Sequence, residues 1–215
     1  MSLTLIVGNK NYSSWSLRPW LAMKQAGLAF DEVRVLLNRP DTKAEILRHS
    51  PSGRVPCLVD GTLAVWDSMA ICEYVNEQYA GGGLWPREVA QRARARSIAA
   101  EMHSGFAALR THMSMDIRGR HPERGAAAAA RPDAGGDIAR IQAIWTDCLA
   151  ASGGPFLFGG FSIADAFYAP VVTRFRTYAV ALPAPLSAYS DAVFALPAMQ
   201  EWVAAAVAEP ETLDD

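Results

Sequence analysis

The sequence predicts a small α/β unit followed by an all-helical unit, and three observations support this division. Short strand-like segments alternate with helix-like segments over the first eighty residues. Gly81-Gly82-Gly83 and Trp85-Pro86 then interrupt the pattern as a linker would. Beyond residue 87 only helical periodicity remains. We therefore predict an α/β domain at residues 1–80 and an all-α domain at residues 87–215.

The first domain is predicted to run strand, helix, strand, short helix, two strands and helix. Asp60-Gly61 between two apolar runs is a strong hairpin signal. Asp67 is a suitable N-cap for the helix after the hairpin, and Ser16 suits the same role in the first helix. We expect strands at residues 3–7, 30–36, 55–59 and 63–66. We expect helices from about residue 16 to 26, within residues 40–50, and from residue 68 onward. In the second of these helices, Ile46 and Leu47 should form the buried side.

The second domain is predicted to begin with one long helix from about Arg87 to Ile117. An alanine-rich segment containing Pro132, at residues 125–136, is predicted to be a loop. Ser162 and Asp165 have the spacing of a capping box and precede an apolar stripe, so they should begin a buried helix.

Bulk properties exclude several functions. The net charge is −2 and no basic stripe occurs, so we expect no nucleic-acid partner. No apolar run is long enough to span a membrane, and no secretory signal is evident, so a cytoplasmic location is expected. The three cysteines, Cys57, Cys72 and Cys148, are far apart, which argues against a disulfide framework or zinc site. We expect no metal.

The start of the first helix is the strongest candidate site. Tyr12, Ser13 and Ser14 bring three hydroxyls to the point where a strand ends and a helix begins. A helix N-terminus offers unpaired N–H groups and partial positive charge, which favour an anion such as a thiolate. Capping is the structural alternative and, on this local pattern alone, the commoner role of serine.

Two further motifs of the first domain suggest a peptide-like ligand. Val55-Pro56 opens a strand, where proline is tolerated, and a cis bond would leave the Val55 backbone free to pair with a ligand. Asp67-Ser68 begins a helix, where the pair fits either a plain cap or a grip on a zwitterionic amino-acid end.

Together these motifs resemble the cytosolic glutathione S-transferase family over essentially the whole chain. The matching segments are residues 12–16, 53–56, 67–71 and 162–166. The likeness is to the bacterial serine-type, theta-like and zeta-like members. It implies a thioredoxin-like N-terminal domain that binds glutathione, a helical C-terminal domain that lines the electrophile site, and a homodimer.

The resemblance also implies roles for individual residues. Ser13 takes the position of the catalytic hydroxyl, with Tyr12 and Ser14 as alternatives. Where zeta-like members have cysteine, this chain has Trp15, which argues against a maleylacetoacetate isomerase assignment. The implied glutathione-binding residues are Ser14, Trp15, Lys43, Arg54, Val55, Pro56, Asp67 and Ser68. The electrophile pocket is expected at Met102, His103, Phe106, Arg110 and Met113, although core packing explains Met102, Phe106 and Met113 equally well.

The expected function is a glutathione transferase that ionises the thiol for attack on a small hydrophobic electrophile. The alternatives are a zeta-like glutathione-dependent isomerase, a dehalogenase that uses the same thiolate, or a non-catalytic glutathione-binding or regulatory protein. Lowering a thiol pKa by ~2 units requires ~2.7 kcal/mol. A hydroxyl donor contributes ~1.5–3 kcal/mol and a helix terminus ~0.3–1 kcal/mol, so the two together suffice.

Overall fold

The first domain is a four-stranded sheet with helices on both faces, as the computed structural model, which describes residues 3–213, shows. Its strands are β1 (Leu3–Val7), β2 (Phe30–Arg34), β3 (Cys57–Asp60) and β4 (Leu63–Trp66). They lie in the order β2-β1-β3-β4, with β1 parallel to β2 and antiparallel to β3, and β3 antiparallel to β4. This is the expected thioredoxin-like arrangement.

The alternation of side chains along β1 divides the core between the two faces of the sheet. Leu5 and Val7 face the main core with α1 (Ser14–Gln25) and α3 (Ser68–Gln78). Ile6 faces the other side, where a small cluster includes Ile46 of α2 (Thr42–Leu47). Leu47 is 50% exposed, so the prediction that it is buried with Ile46 was wrong: the one-and-a-half turns of α2 present a single side chain to the sheet.

The remaining described residues are mainly helical, and one buried helix organises them. The helices are α4 (Val89–Ser104), α5 (Ala107–His112), α6 (Pro122–Ala129), α7 (Pro132–Ser152), α8 (Ile163–Thr177), α9 (Ala184–Phe194) and α10 (Pro197–Ala208). Helix α8 packs against α1, α4 and α9, which links the two domains. Among residues 3–213, no helix combines the length and apolar character needed to cross a bilayer.

The predicted capping box of α8 is confirmed. The buried Asp165 carboxylate accepts hydrogen bonds from the backbone N–H groups of Ser162, at 2.8 Å, and Leu157, at 3.1 Å. Burial nevertheless raises the pKa of Asp165 to about 6. Asp165 thus joins the start of α8 to the preceding loop.

Two expectations for the second domain were wrong. The single helix predicted for residues 87–117 is divided into α4 and α5 at Gly105 and at Phe106, whose φ is +56°. Glycine ends helices readily, and the apolar spacing across it hid the break. The loop predicted at 125–136 is mostly helical, because alanine favours helix and Pro132 occupies the first turn of α7, where proline is tolerated.

Candidate active site

Ser13, and not Ser16 as predicted, is the N-cap of α1. The Ser13 Oγ accepts a long hydrogen bond from the Ser16 backbone N–H, at 3.4 Å, and lies 2.7 Å from the Ser16 Oγ. The Ser16 hydroxyl in turn accepts from the backbone N–H of Gly8, at 3.1 Å, directly after β1. The sequence did not reveal this, because several serines within one turn satisfy the same local capping pattern.

Ser14 contacts a buried arginine from α8. Its Oγ accepts a hydrogen bond from Arg174 Nη2 at 3.3 Å, while Arg174 Nε donates to the Met113 carbonyl at 2.8 Å. Arg174 is only 3% exposed, and its Nη1 has no hydrogen-bond partner within residues 3–213. Burial and the nearby Arg110 lower the pKa of Arg174 to about 10. A hydroxyl at the helix start therefore lies beside an incompletely paired guanidinium.

One cleft lies along the first domain and is called here the N-terminal cleft. It has a volume of about 530 Å³ and is lined by Trp15, Ser52, Arg54, Val55, Pro56, Trp66, Asp67 and Ser68. The Val55-Pro56 peptide bond is cis, and the pairing of β3 with β1 begins only at Cys57. The Val55 backbone therefore precedes the ladder, at the wall of the cleft. A cleft of this size suits a small-molecule ligand.

Asp67 and Ser68 form one end of the N-terminal cleft. Asp67 caps α3 by accepting from the Met69 N–H at 2.8 Å and the Ala70 N–H at 3.4 Å, and its φ is +74°. The Ser68 hydroxyl is buried and has no hydrogen-bond partner within residues 3–213. The predicted N-cap is therefore confirmed, and an unpartnered hydroxyl stands next to it.

A second cleft, the arginine cleft, opens between the two domains. It has a volume of about 710 Å³ and is lined by Tyr12, Ser14, Trp15, Asn38, Arg110, Ser114, Met115, Asp116, His121, Arg124, Arg174, Tyr178, Thr212 and Leu213. Of its charged side chains, the Asp116 carboxylate is bound by Asn11, at 2.7 Å, and by His121, at 3.0 Å. Arg110 and Arg174 line this cleft, while the Asp116 carboxylate is already bound, so the cleft is suitable for an anion.

Trp15 lines both clefts, so the two clefts adjoin at this residue. The guanidinium carbons of Arg18 and Arg110 lie 4.2 and 5.6 Å from its ring centroid, and the His103 ring meets it edge-on at 5.3 Å. Arg18 is completely buried, and its guanidinium has no hydrogen-bond partner in the described part of the chain. Burial, with Arg174 and Arg110 nearby, lowers the pKa of Arg18 to about 9. The indole is thus held among cations.

His103 connects Trp15 to Asp67. Its Nε2 lies 3.3 Å from Asp67 Oδ2, on the far side of the carboxylate from the helix cap. Burial lowers the pKa of His103, Arg18 and Arg110 lower it further, and Asp67 opposes them. His103 therefore contacts a wall residue of the N-terminal cleft and does not itself line the arginine cleft.

The structure brings most of the predicted glutathione-binding residues together in one cleft. It does not bring the predicted electrophile-pocket residues together. Lys43 is exposed on α2 and does not line the N-terminal cleft. Ser13 caps α1 and lines neither cleft. Of the predicted electrophile pocket, only Arg110 lines the arginine cleft. Met102, Phe106 and Met113 are buried in the hydrophobic core, which is the packing alternative that the sequence left open.

Sequence reasoning missed several lining residues. Ser52 and Trp66 flank segments that the motifs did cover. Arg174 carried a signal: it lies seven residues after Phe167 and three after Val171, so a charged residue interrupts the buried stripe of α8. Thr212 and Leu213 follow the last helix and carry no local signal.

The described residues contain no group of three His, Cys, Asp or Glu side chains that can hold a metal ion. Cys57, Cys72 and Cys148 are free thiols and buried, and burial raises the pKa of each. A thiol with a raised pKa is a poor nucleophile. The described chain therefore offers no cysteine of its own for thiolate chemistry at the site.

Both domains of this architecture match domains of known proteins. Residues 12–78 match the glutathione S-transferase N-terminal domain and residues 89–205 match its C-terminal domain. A probable maleylacetoacetate isomerase from Vibrio cholerae is 36% identical over 110 residues, which are 48% of this chain and 50% of that protein. A dichloromethane dehalogenase from Methylorubrum extorquens is 40% identical over 65 residues, 29% of this chain and 23% of that protein.

A solved structure agrees in fold over nearly the whole length. A glutathione transferase homolog from Burkholderia gl BGR1, with bound glutathione, has a TM-score of 0.74 at 22% identity and covers 97% of this chain and 100% of its own. The curated relatives, by contrast, are matched over half of their length or less. The two domain matches together span most of the sequence, and the chain belongs to the glutathione S-transferase family.

Proposed function

We propose that this protein is an enzyme that binds glutathione in the N-terminal cleft and directs its thiolate at an electrophile in the arginine cleft. The observation that carries the proposal is the junction at Trp15. Both clefts meet there, directly beside the hydroxyl of Ser14 at the positive end of α1. A thiol placed at this junction reaches both a hydrogen-bond donor and the second cleft.

The N-terminal cleft supplies a suitable partner for each part of the tripeptide. The buried Ser68 hydroxyl, which has no partner in the described part of the chain, and the start of α3 suit the γ-glutamyl carboxylate, and Asp67 suits the ammonium. The Val55 backbone, ahead of the β3 ladder, suits the cysteinyl amide. Arg54 lines the cleft and is the better placed of the two cations proposed for the glycyl carboxylate.

The hydroxyls at the start of α1 have different surroundings. Ser13, the family-like choice for the activating group, already contacts Ser16, whereas Ser14 lines the arginine cleft. The Tyr12 hydroxyl accepts from Arg118 Nη2 at 3.1 Å. The geometry favours Ser14 as the donor to the sulfur, with Ser13 as the cap that fixes its position. Donation to a thiolate strengthens when Ser14 also accepts from the cationic Arg174.

The arginine cleft favours an electrophile that carries an anionic group, which changes the hydrophobic substrate expected from the sequence. Arg174 Nη1 is buried and has no hydrogen-bond partner among residues 3–213, and both Arg174 and Arg110 line this cleft. A carboxylate pairs with such guanidiniums in a forked geometry. We therefore propose an unsaturated or halogenated carboxylic acid as the substrate class.

Glutathione-dependent isomerisation of an unsaturated acid is the second candidate. The thiolate adds to the double bond, rotation occurs about the resulting single bond, and elimination regenerates the thiolate, so glutathione is not consumed. The same arginines suit such an acid, and a probable maleylacetoacetate isomerase is among the relatives. Homodimer formation and the domain boundaries at 80 and 87 stay predictions.

The test combines calorimetry with glutathione and turnover of Ser13→Ala, Ser14→Ala and Tyr12→Phe. We expect wild type to bind glutathione, and Ser14→Ala to bind it similarly while losing about 100-fold in turnover. Ser13→Ala should mainly lose about 1 kcal/mol of stability as a cap. Turnover abolished by Ser13→Ala or by Tyr12→Phe alone would move the activating role to that residue. Absence of glutathione binding by wild type would refute the function.

Consumption of glutathione separates the two candidate reactions. A maleyl-type acid converted to its trans isomer with glutathione unchanged indicates isomerase activity. A chlorinated acid that consumes one glutathione per halide released indicates transferase activity. Binding without turnover of either substrate supports the non-catalytic alternative.

A further inference from the structure

The segment after α10, residues 209–213, returns across the molecule to the loop that precedes α1. Glu209 Oε1 accepts a hydrogen bond from the Lys10 backbone N–H at 2.7 Å, and Oε2 accepts from the Asn11 N–H at 3.1 Å. Arg34 Nη1 lies 3.1 Å from Oε1, and the Glu209 side chain is 5% exposed. One buried carboxylate thus binds two consecutive N–H groups of a loop almost two hundred residues away in sequence.

Arg118 also forms hydrogen bonds with the segment after α10. Its Nη2 donates to the Glu211 carbonyl at 2.7 Å and to the Tyr12 hydroxyl at 3.1 Å, and Nη1 donates to the Glu209 carbonyl. Its backbone N–H donates to Asn11 Oδ1 at 2.9 Å. The loop and the segment after α10 therefore belong to one hydrogen-bond network, which also places Thr212 and Leu213 in the wall of the arginine cleft.

The position of this carboxylate relative to the helix start gives it a specific consequence. Only Tyr12 separates Asn11 from Ser13, and the N–H groups of Tyr12 and Ser13 both bond to the Asn9 carbonyl, at 3.1 and 2.8 Å. A shift at Asn11 is passed directly to the first residues of α1. Hydrogen bonds from backbone N–H groups to an ionised acceptor are about twice as strong as neutral ones, so loss of the charge releases the loop.

We propose that Glu209 is a positioning residue for the thiol-activating hydroxyls: it holds the loop before α1 so that Ser13 and Ser14 keep their geometry. This rests on the proposed function. A glutamine at 209 has one acceptor oxygen and presents an NH₂ group to the other N–H, so the two bonds cannot both form. The carboxylate is therefore required for its shape and its charge together.

The experiment compares Glu209→Gln with Glu201→Gln as a matched control. Glu201 pairs with Lys24 at 2.7 Å, so it also joins α10 to the first domain but does not touch the loop. For each variant, the pKa of bound glutathione is read from thiolate absorbance against pH. The KM for glutathione and kcat are measured separately, and amide hydrogen exchange is followed at Lys10 and Asn11.

We expect Glu209→Gln to raise the thiol pKa by about half a unit or more and to lower kcat by about threefold to tenfold. The KM for glutathione should stay within about twofold, because its binding residues lie elsewhere, and exchange at Lys10 and Asn11 should accelerate. Glu201→Gln should match wild type in all four readouts. An unchanged thiol pKa in folded Glu209→Gln, or equal changes in both variants, would overturn the proposal.

A second variant covers the case in which Glu209→Gln does not fold. Glu209→Asp keeps the charge but withdraws the carboxylate by one methylene, and it should raise the thiol pKa in the same direction; a wild-type value overturns the proposal. If wild type binds no glutathione, the proposed function fails. Whether Glu209 fixes the loop before α1 is then tested separately, by comparing amide hydrogen exchange at Lys10 and Asn11 between wild type and the variant.

Discussion

The two clefts that meet at Trp15 are built in different ways. Apart from Trp15, every residue that lines the N-terminal cleft lies between Ser52 and Ser68, so one short stretch of chain supplies the wall. The arginine cleft draws on residues 12–15, 38, 110–124, 174–178 and 212–213, which lie far apart in sequence. One cleft is therefore encoded locally, and the other exists only when the two domains are packed together.

The difference also extends to chemistry. The N-terminal cleft presents a helix start, a strand start and a serine hydroxyl, whose positions are fixed by the local backbone and suit one constant ligand. The arginine cleft presents long charged side chains, whose replacement leaves the backbone in place. We infer that the first cleft determines which thiol is used, and that the second determines which electrophile is accepted.

The largest expected effect comes from Arg174→Leu, which removes the buried guanidinium that lies beside Ser14 in the arginine cleft. Loss of charge-assisted hydrogen bonds worth ~2–3 kcal/mol should lower kcat/KM for an anionic electrophile by about 30-fold to 100-fold. For a neutral electrophile of the chlorodinitrobenzene type, the decrease should be less than about tenfold, and glutathione affinity should change little. Steady-state kinetics with both substrates checks this.

Arg174→Lys is the matched control for this prediction. It retains the charge but not the planar fork, so kcat/KM for the anionic electrophile should lie between wild type and Arg174→Leu. Equal losses for the anionic and the neutral electrophile would contradict anion recognition. Arg174 would then act through its hydrogen bond to Ser14.

A smaller effect is expected from Asp67→Asn, which tests the N-terminal cleft alone. Asparagine keeps the cap of α3 and tolerates the positive φ, but it loses the charge. Glutathione affinity should fall about fivefold to tenfold, which corresponds to ~1–1.4 kcal/mol. The discrimination between anionic and neutral electrophiles should be unaffected. Calorimetry measures the affinity, and a changed electrophile preference would mean that the two clefts are not independent.

The smallest expected effect concerns His103, behind Trp15. Its pKa is lowered in the folded protein by burial and by Arg18 and Arg110, so the unfolded chain binds more protons just below the ordinary value of 6.5. The contribution of His103 to stability is complete above that value and is lost as the pH falls towards the folded pKa. The loss should stay under ~1 kcal/mol because the side chain is 27% exposed.

Thermal unfolding of wild type and His103→Gln between about pH 5 and 7.5 measures this contribution. Wild type should lose stability towards the acidic end more steeply than the variant. Parallel curves would show that His103 keeps its ordinary pKa, and that the Asp67 carboxylate compensates for burial.

Much of the fold could be predicted because its signals are local. The signals for the strand at residues 3–7, the Asp60-Gly61 turn and the Asp165 capping box each act within a few residues, and all three are confirmed. The two wrong predictions in the second domain have one cause: the break at Gly105 and the helix start at Pro132 depend on single residues that interrupt or begin a periodic pattern. A window-based reading averages over such positions.

The residues of the candidate site also fall into two groups, those with a local sequence signal and those without one. Val55-Pro56 and Asp67-Ser68 were recognisable because a strand start and a helix cap are local features that need particular residues. The hydrogen bond between Ser14 and Arg174 and the contact of Arg110 with Trp15 join residues far apart in sequence, so no local pattern predicts them. The same is true of the hydrogen bonds from Lys10 and Asn11 to Glu209.

The sequence by itself determined the family, the order of most elements and most of the groups that line the N-terminal cleft, because local motifs specify them. Only the tertiary structure decided which serine caps α1, which arginines converge on the second cleft and what holds the loop before the helix. Burial, charge proximity and the pairing of distant polar groups depend on the packing of α8 and the segment after α10 against the first domain, and no local pattern records that packing.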